Sequence, residues 1–359
     1  MSQSNSKIPV SVLGATGSVG QRFLTLLRDH PWFEVAAVCA SERSAGRPYG
    51  EVVEWCQVKP LDERIASMVV RRVDDELDTP IVFSALDASV AGDVETLHAK
   101  RGRAVVTNAK SHRMDDDVPL LVPEVNADHL GLIAHQPFAQ SGGSLIANPN
   151  CSTIGVILAL APLHRAFGVK RASIVTMQAL SGAGMSGVPG METADNLIPH
   201  IGGEEDKLEN ETRKLFGSLN GRRIDFADVV VSAQCNRVSV VDGHTACVSI
   251  EFESKPTREA ILEAWSSFRA EPQSLDLPTA PATPTRYLDE DASPQPKLHR
   301  DVDKGMATTI GRLRTCPILD WKFVCLSHNT LRGAAGGALL CAELAVARGV
   351  LTGLSAPGE

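Results

Sequence analysis

No two of the eight cysteines stand in a CxxC spacing, so the chain offers neither a paired-thiol zinc site nor a disulfide framework. Scattered free thiols fit a reducing compartment, and no resident metal is expected. There is no apolar run of 18 residues, the length that a membrane-spanning helix needs. The opening MSQSNSK is polar and lacks the apolar stretch of a secretory signal, so the expected location is the cytoplasm. Basic charge is in deficit as well. Lys and Arg number 35 against 43 Asp and Glu, a net charge of −8, which argues against nucleic acid or an acidic membrane as the main partner. No internal repeat is found.

The composition is that of a soluble globular protein. Its 359 residues, 43% hydrophobic and 22% charged, suffice for two domains with ample core. IPVSVL (8–13) reads as a buried strand, GATGSVG (14–20) as a glycine-rich turn, and about 19–29 as a helix. EVAAVCA (34–40), IVFSAL (81–86) and AVVTNA (104–109) are further strands, with a helix near 88–101. This βαβ alternation predicts a doubly wound parallel sheet over 7–150. After residue 150 the pattern changes. ASIVTMQAL (172–180) reads as a strand, HTACVSIEF (244–252) alternates like a half-buried strand of an antiparallel or mixed sheet, and PTREAILEAWSSF (256–268) opens a helix with proline. Residues 271–300 carry six prolines and read as a long solvent-exposed loop. RGAAGGALLCAELAVARG (332–349) is an alanine-rich helix suited to tight packing against the first domain.

Several stretches carry candidate chemistry. GATGSVG places Gly14, Gly17 and Gly20 between a strand and a helix, where backbone N–H groups and the helix terminus can hold a pyrophosphate. The second strand runs into Ser41, Glu42, Arg43 and Ser44; two hydroxyls and an arginine suit a 2′-phosphate and favour NADP, while Glu42 keeps the NAD role open. IANPNCSTIGVILALAPL (146–163) sets Cys151 between turn formers and a buried helix that Ser152 and Thr153 can cap, and that Pro162 is expected to kink or end. A helix start lowers a thiol pKa, though from the local sequence Cys151 reads first as a buried structural cysteine. Arg237 and His244 flank a short extended segment and could serve as carboxylate clamp and acid/base, or as a surface charge and a loop histidine. Gln178 ends a strand before a glycine-rich turn. Lys110 and Arg113 lie just past a strand's C-terminal end, where ligands bind in such sheets. Lys207, in GGEEDK, reads first as part of a charged helix start, and Asn329 with Thr330 can bind a ligand or cap a helix.

Taken together, GATGSVG, NAKSHRM, PEVNADHL, NPNCST, MQALSGAG, IPHIGGEEDK, NRVSVVDGHT and SHNTLRGAAGG resemble, in order, the motifs of the aspartate-semialdehyde dehydrogenase family, in its archaeal and fungal branch. The resemblance implies a Rossmann-like NADP-binding domain over 7–150, joined by a C-terminal helix at 328–355, and an α+β catalytic and dimerisation domain over 151–327. It implies NADPH-dependent reduction of L-aspartyl 4-phosphate to aspartate 4-semialdehyde and phosphate, on the route to lysine, threonine, methionine and isoleucine, by a homodimer or homotetramer. Cys151 then matches the nucleophile, His244 the acid/base and Gln178 the group that positions the acyl intermediate. Arg237 matches the α-carboxylate clamp, Glu204 the contact to the amino group, and Lys207, Arg113 and Asn150 the phosphate site. Gly14, Thr16, Gly17, Ser18 and Val19 match the cofactor loop, Ser41, Arg43 and Ser44 the 2′-phosphate region, and Ser84 and Asn329 further cofactor contacts. Ser239, and Met185 with Ser186, depart from the family pattern and bear on loop shape. Malonyl-CoA reductase and N-acetylglutamyl-phosphate reductase resemble the same scaffold. Glu204 beside Arg237 favours an α-amino acid substrate. A silent NADP-binding regulator would have no need of Cys151, Gln178 and His244 together.

Overall fold

The computed structural model describes residues 7–185 and 187–357; Ser186 lies outside them. Six parallel strands form the first sheet: β1 (Ile8–Leu13), β2 (Phe33–Ala40), β3 (Arg71–Arg72), β4 (Ile81–Ser84), β5 (Ala104–Thr107) and β6 (Ser144–Ala147), in the order β3-β2-β1-β4-β5-β6. Parallel strands are covered on both faces, which explains their near-continuous apolar character. Val10, Val12, Phe83, Val106 and Ile146 face α1 (Ser18–Leu27) and the C-terminal helix, whereas Leu13, Val82, Val105 and Leu145 face the opposite layer. Helix α2 (Ala88–Lys100) connects β4 to β5.

Helix α3 (Cys151–Phe167) lies between the two halves of the molecule and is buried from Ser152 to Leu163. Its Ile154, Ile157, Leu158 and Ala161 join the first domain's outer layer, and Val156, Ala159, Leu160 and Leu163 join the second core. A helix with partners on both sides has no polar face, which is why no amphipathic period appears in its sequence. The helix does not end at Pro162, and its cap is not the one expected. The helix runs through Pro162 to Phe167. An interior proline costs about 3 kcal/mol, but each fully buried Leu or Ile contributes roughly 1.5–3 kcal/mol by leaving water, and α3 carries several on each flank. The cap is Asn150, whose Oδ1 accepts from Ser152 N at 2.9 Å, so Ser152 and Thr153 lie inside the helix.

The second sheet is mixed: β7 (Val169–Gln178), β8 (Val230–Arg237), β9 (His244–Phe252), β10 (Thr285–Leu288), β11 (Thr308–Thr315) and β12 (Trp321–Ser327), in the order β8-β7-β9-β12-β11-β10. Helix α4 (Glu204–Leu215) lies in the connection from β7 to its parallel neighbour β8. Helix α5 (Arg258–Ser266) buries Trp265 in the second core. The proline-rich segment is not simply an exposed loop, because it supplies β10, which pairs in parallel with β11. Thr285 there donates to Trp265 O at 2.7 Å. The chain ends in a π-helical turn (Leu331–Ala335) followed by α6 (Gly336–Ala347), and α6 packs into the first core, against Val10, Val12 and Phe33.

Candidate active site

The first sheet reverses strand order between β1 and β4, where ligands bind outside the carboxyl ends of such strands. The glycine loop sits there. Gly14 has φ +69°, and a Cβ on it would lie 2.5 Å from Ala85 O; a Cβ on Gly20 would lie 2.2 Å from Gly14 O. Thr16 is held through its carbonyl by Gln21 Nε2 at 2.9 Å, and Ala15 O accepts from Tyr49 Oη at 2.7 Å. Gly17 caps α1 in extended backbone without a side chain, so the first-turn N–H groups at Ser18 and Val19 face the loop. This cradle fits a dinucleotide. Beyond β2, Ser41 and Arg43 are exposed and Ser44 half-buried, while Glu42 pairs with Arg72. That pairing occupies the acid that would hold a free ribose hydroxyl and leaves a cation and two hydroxyls for a phosphate. Ser84, at the end of β4, is buried and donates its hydroxyl to Glu95 Oε1 at 2.6 Å, apart from the cavity groups.

Four element ends bring the remaining candidates together. Cys151 is the first residue of α3, Gln178 the last of β7, Arg237 the last of β8 and His244 the first of β9. The register pairs Arg237 with Gln178 across the sheet. Cys151 Sγ lies 3.3 Å from His244 Nε2, and His244 Nδ1 accepts from Ala179 N at 3.0 Å. Because Nδ1 accepts, the hydrogen-bond network assigns the neutral ring's proton to Nε2, facing sulfur. Arg237 Nη1 donates to Ala179 O at 2.6 Å, which leaves its other donors for a ligand. Gly333, in the π turn, approaches so closely that a Cβ would meet Cys151 Cβ at 2.8 Å. Asn329 bridges Gly243 N (2.8 Å) and Ser181 Oγ (2.8 Å), tying the turn before His244 to the turn after β7.

Helix α4 supplies the charged wall. Its first residue, Glu204, accepts from Asn150 Nδ2 (3.0 Å), Lys207 Nζ (2.6 Å) and Gln178 Nε2 (3.3 Å). Glu211 accepts from Arg113 Nη1 at 2.9 Å and Asn150 N at 2.7 Å. Lys214 is buried and donates to the carbonyls of Arg113 (2.9 Å), Asp115 (2.7 Å) and Val118 (3.0 Å). Positions 204, 207, 211 and 214 recur at helical spacing, so all four lie on one face. Reading the sequence singled out Glu204 and Lys207 but missed Glu211 and Lys214; this spacing was the available signal.

Burial dominates the electrostatics. Enclosure, and then the nearby Glu204, push the Cys151 thiol up to about 12, against the pull of Arg113, Arg237 and Lys207. The lowering expected from the helix start is outweighed. His244 is pushed down to about 3 by burial and then by Arg237 and His328. The resting pair is therefore neutral thiol and neutral imidazole, ready to ionise when a ligand changes the local charge. Burial also lowers Lys214 to about 8.

The groups open on a cavity of about 420 Å³, walled by Cys151, Asn150, Gln178, Glu204, Lys207, Arg113 and Arg237, with Lys110, Val19 and Asn329 at its rim. A larger cavity, about 780 Å³, lies between α1 and residues 278–282 and includes none of the cysteine, glutamine and arginine constellation. The 420 Å³ cavity joins a nucleophile, backed by the His244 imidazole, a buried carboxylate and several cations to the dinucleotide cradle. Such an arrangement can run acyl transfer through sulfur beside a bound nicotinamide.

Known proteins match along nearly the whole chain. The model of the semialdehyde dehydrogenase NAD-binding domain matches residues 9–133, and that of the semialdehyde dehydrogenase dimerisation domain matches residues 160–332. The chain is 45% identical over 339 residues to the aspartate-semialdehyde dehydrogenase of Archaeoglobus fulgidus, covering 94% of this chain and 97% of that protein. It is 45% identical over 353 residues to that of Aspergillus fumigatus, covering 95% and 97%. The crystal structure of aspartate semialdehyde dehydrogenase with NADP from Candida albicans superimposes with a TM-score of 0.89 at 41% identity, over 96% of this chain and 99% of that one. Aspartate semialdehyde dehydrogenase II from Vibrio cholerae gives 0.75 at 25% identity, over 95% and 98%.

Proposed function

The chain belongs to the aspartate-semialdehyde dehydrogenase family, and from that premise we propose how its own residues divide the work. The reaction is the NADPH-dependent reductive dephosphorylation of L-aspartyl 4-phosphate to L-aspartate 4-semialdehyde, through a cysteine thioacyl intermediate, in lysine, threonine, methionine and isoleucine biosynthesis. The observation that carries the assignment is Cys151 Sγ, 3.3 Å from His244 Nε2, at the wall of a cavity ringed by Arg113, Lys207 and Arg237.

Arg237 clamps the substrate α-carboxylate, and Glu204, held by Lys207 and Asn150, takes the amino group. Arg113, Lys207 and Asn150 hold the phosphate. Their charge, together with Nε2–H, favours ionisation of Cys151 once substrate is seated. The sulfur attacks the acyl carbon, the carbon–sulfur bond forms, and the bond to the phosphate oxygen breaks, the thiol proton leaving with the phosphate as HPO₄²⁻. The departing anion stays with Arg113 and Lys207. Backbone N–H groups at the start of α3 and the Gln178 amide steady the acyl oxygen. A bound nicotinamide would supply hydride. His244 Nε2–H then gives a proton to the sulfur as the thiohemiacetal collapses to aldehyde and the Cys151 thiol, and the imidazole regains one from solvent. Gly14, Thr16, Gly17, Ser18 and Val19 hold the pyrophosphate, and Ser41, Arg43 and Ser44 the 2′-phosphate. Asn329 makes a further contact, whereas the buried Ser84 hydroxyl is already given to Glu95.

The same reading takes 7–150, closed by 328–355, as the cofactor domain and 151–327 as the catalytic and dimerisation domain. It takes the enzyme as a cytoplasmic homodimer or homotetramer. Among the described residues no helix is long and apolar enough to cross a membrane.

The direct test follows absorbance at the NADPH band with aspartate semialdehyde, phosphate and NADP. Phosphate-dependent NADPH formation is expected, and Cys151→Ser should abolish it. Intact protein that is silent here but oxidises NADPH with malonyl-CoA would overturn the aspartate assignment.

A further inference from the structure

Glu211 has no part in the reaction as assigned above, yet it is only 1% exposed and stands between two parts of the site. Its Oε1 accepts from Arg113 Nη1 at 2.9 Å, and its Oε2 accepts from Asn150 N at 2.7 Å. Arg113 comes from the loop after β5. Asn150 is the residue before the reactive cysteine. One carboxylate therefore links the cation at the phosphate end of the cavity to the backbone that presents the nucleophile.

We propose that Glu211 is a positioning residue for the phosphate step, aligning the Arg113 guanidinium with the Cys151 turn. The proposal rests on the assignment of Arg113 to the phosphate. The donor inventory supports it. Arg113 has Nη1 on Glu211 and Nη2 on Asn108 O at 2.7 Å, so the planar fork is held along two edges and cannot turn. Each η nitrogen keeps a second N–H, and Arg113 lines the cavity, so donors remain for a ligand. Lys214, one turn further along α4, holds the Arg113 carbonyl at 2.9 Å, so backbone and side chain of Arg113 are fixed by the same helix. Charge balance agrees. Among the described residues, the cations that wall the cavity, Lys110, Arg113, Lys207 and Arg237, outnumber Glu204 and the adjoining Glu211, and the excess suits a substrate whose reacting end is a phosphate dianion. Without Glu211 the Arg113 fork would lose its stop and the Asn150 N–H its acceptor.

Glu211→Gln separates positioning from bulk support. An amide has an acceptor at one end only, so it can serve either Asn150 N or Arg113 and must turn its NH₂ on the other. In the oxidative direction the phosphate KM is expected to rise about 10- to 100-fold, from a lost charge-assisted contact. The KM values for aspartate semialdehyde and NADP should stay within about twofold. Glu211→Asp, which keeps the charge but draws it back, should show the same selectivity with a smaller rise, and it serves if the Gln variant fails to fold. Each is repeated in an Arg113→Ala background, where Glu211→Gln should add no further rise. If Arg113→Ala leaves the phosphate KM unmoved, the assignment of Arg113 fails. If Arg113→Ala raises it but Glu211→Gln does not, or acts equally in both backgrounds, only the positioning proposal fails. A fall in kcat with all KM values unchanged would also overturn it, because that is what a purely structural glutamate would give.

Discussion

Consider Gly333→Ala. The new Cβ would lie 2.8 Å from Cys151 Cβ, 3.0 Å from its Cα and 3.1 Å from its O. Carbon atoms pack at about 3.5–4.0 Å, so the shortfall is about 1 Å, and it falls on backbone and Cβ with no flexible side chain to yield. Neither partner gives way freely. Gly333 N is bonded to His328 O at 3.0 Å, and the start of α3 is held through Asn150 by Glu204 and Glu211. A displacement of about 1 Å at a nucleophile costs about 10²-fold in rate, and overpacking a core costs about 1–3 kcal/mol. We expect kcat in the phosphate-dependent assay to fall about 100-fold and the thermal midpoint to drop, while NADP affinity, read by fluorescence titration, changes little. Gly92→Ala is the control. It lies inside α2, where a Cβ meets Ser111 only at ordinary contact distance, 3.5 Å, and alanine should raise helix stability by up to about 1 kcal/mol with kcat unchanged. A Gly333→Ala enzyme within threefold of the parent kcat, with an unaltered midpoint, would refute the tight contact on which this reasoning depends.

Further expectations follow from charge. Arg43→Ala should lower kcat/KM for NADPH about tenfold and leave NADH almost untouched, as one charge-assisted contact to a 2′-phosphate is lost; equal losses with both cofactors would place Arg43 outside that contact. Arg237→Lys should raise the KM for aspartate semialdehyde by at least about tenfold, because an ammonium cannot make the bidentate pair; an unchanged KM would remove Arg237 from the carboxylate site. Acid should destabilise the fold. His244 and His328 are held neutral by burial, at about 3 and about 4. Below about pH 6.5 the unfolded chain binds protons at these two sites that the native chain does not. Each therefore lowers stability by up to about 1.4 kcal/mol per pH unit as pH falls toward its native value. Thermal midpoints between pH 7.5 and 5.5 should fall, and the fall should shrink in His328→Asn; a flat profile contradicts the burial of both rings.

Much of this was legible in the chain because local rules and tertiary demands agree. IPVSVL lies between two covering layers and so is apolar but for Ser11, whose hydroxyl pairs with that of Thr79 at 2.6 Å, and HTACVSIEF alternates and forms β9 with those bounds. The glycine loop was readable because Gly14 and Gly20 are required by contacts no side chain could survive. What stayed hidden depended on distant partners. The continuation of α3 past Pro162 follows from its being packed by two domains at once. β10 is short, edge-placed and surrounded by prolines, so its pairing with β11 left no local mark. Glu211 and Lys214 look like solvated charges on a polar helix until the loop carrying Arg113 is laid against them. The upward push on the Cys151 thiol left no local mark, because a helix terminus is a local feature, whereas burial is not.

The packing of α6 has a consequence for how the protein is made. The face of the first sheet that carries Val10, Val12 and Phe83 is roofed by residues such as Leu339 and Leu340, almost at the end of the chain. A ribosome releases β1 long before α6, so the leading domain emerges with one side uncovered and must wait for its own tail. Contacts so far apart in sequence form slowly, and exposed apolar strands in the interval are substrates for chaperones and for aggregation. Cofactor binding is therefore expected only once α6 has emerged, and a chain cut short before Gly336 is expected to lose the first domain's fold.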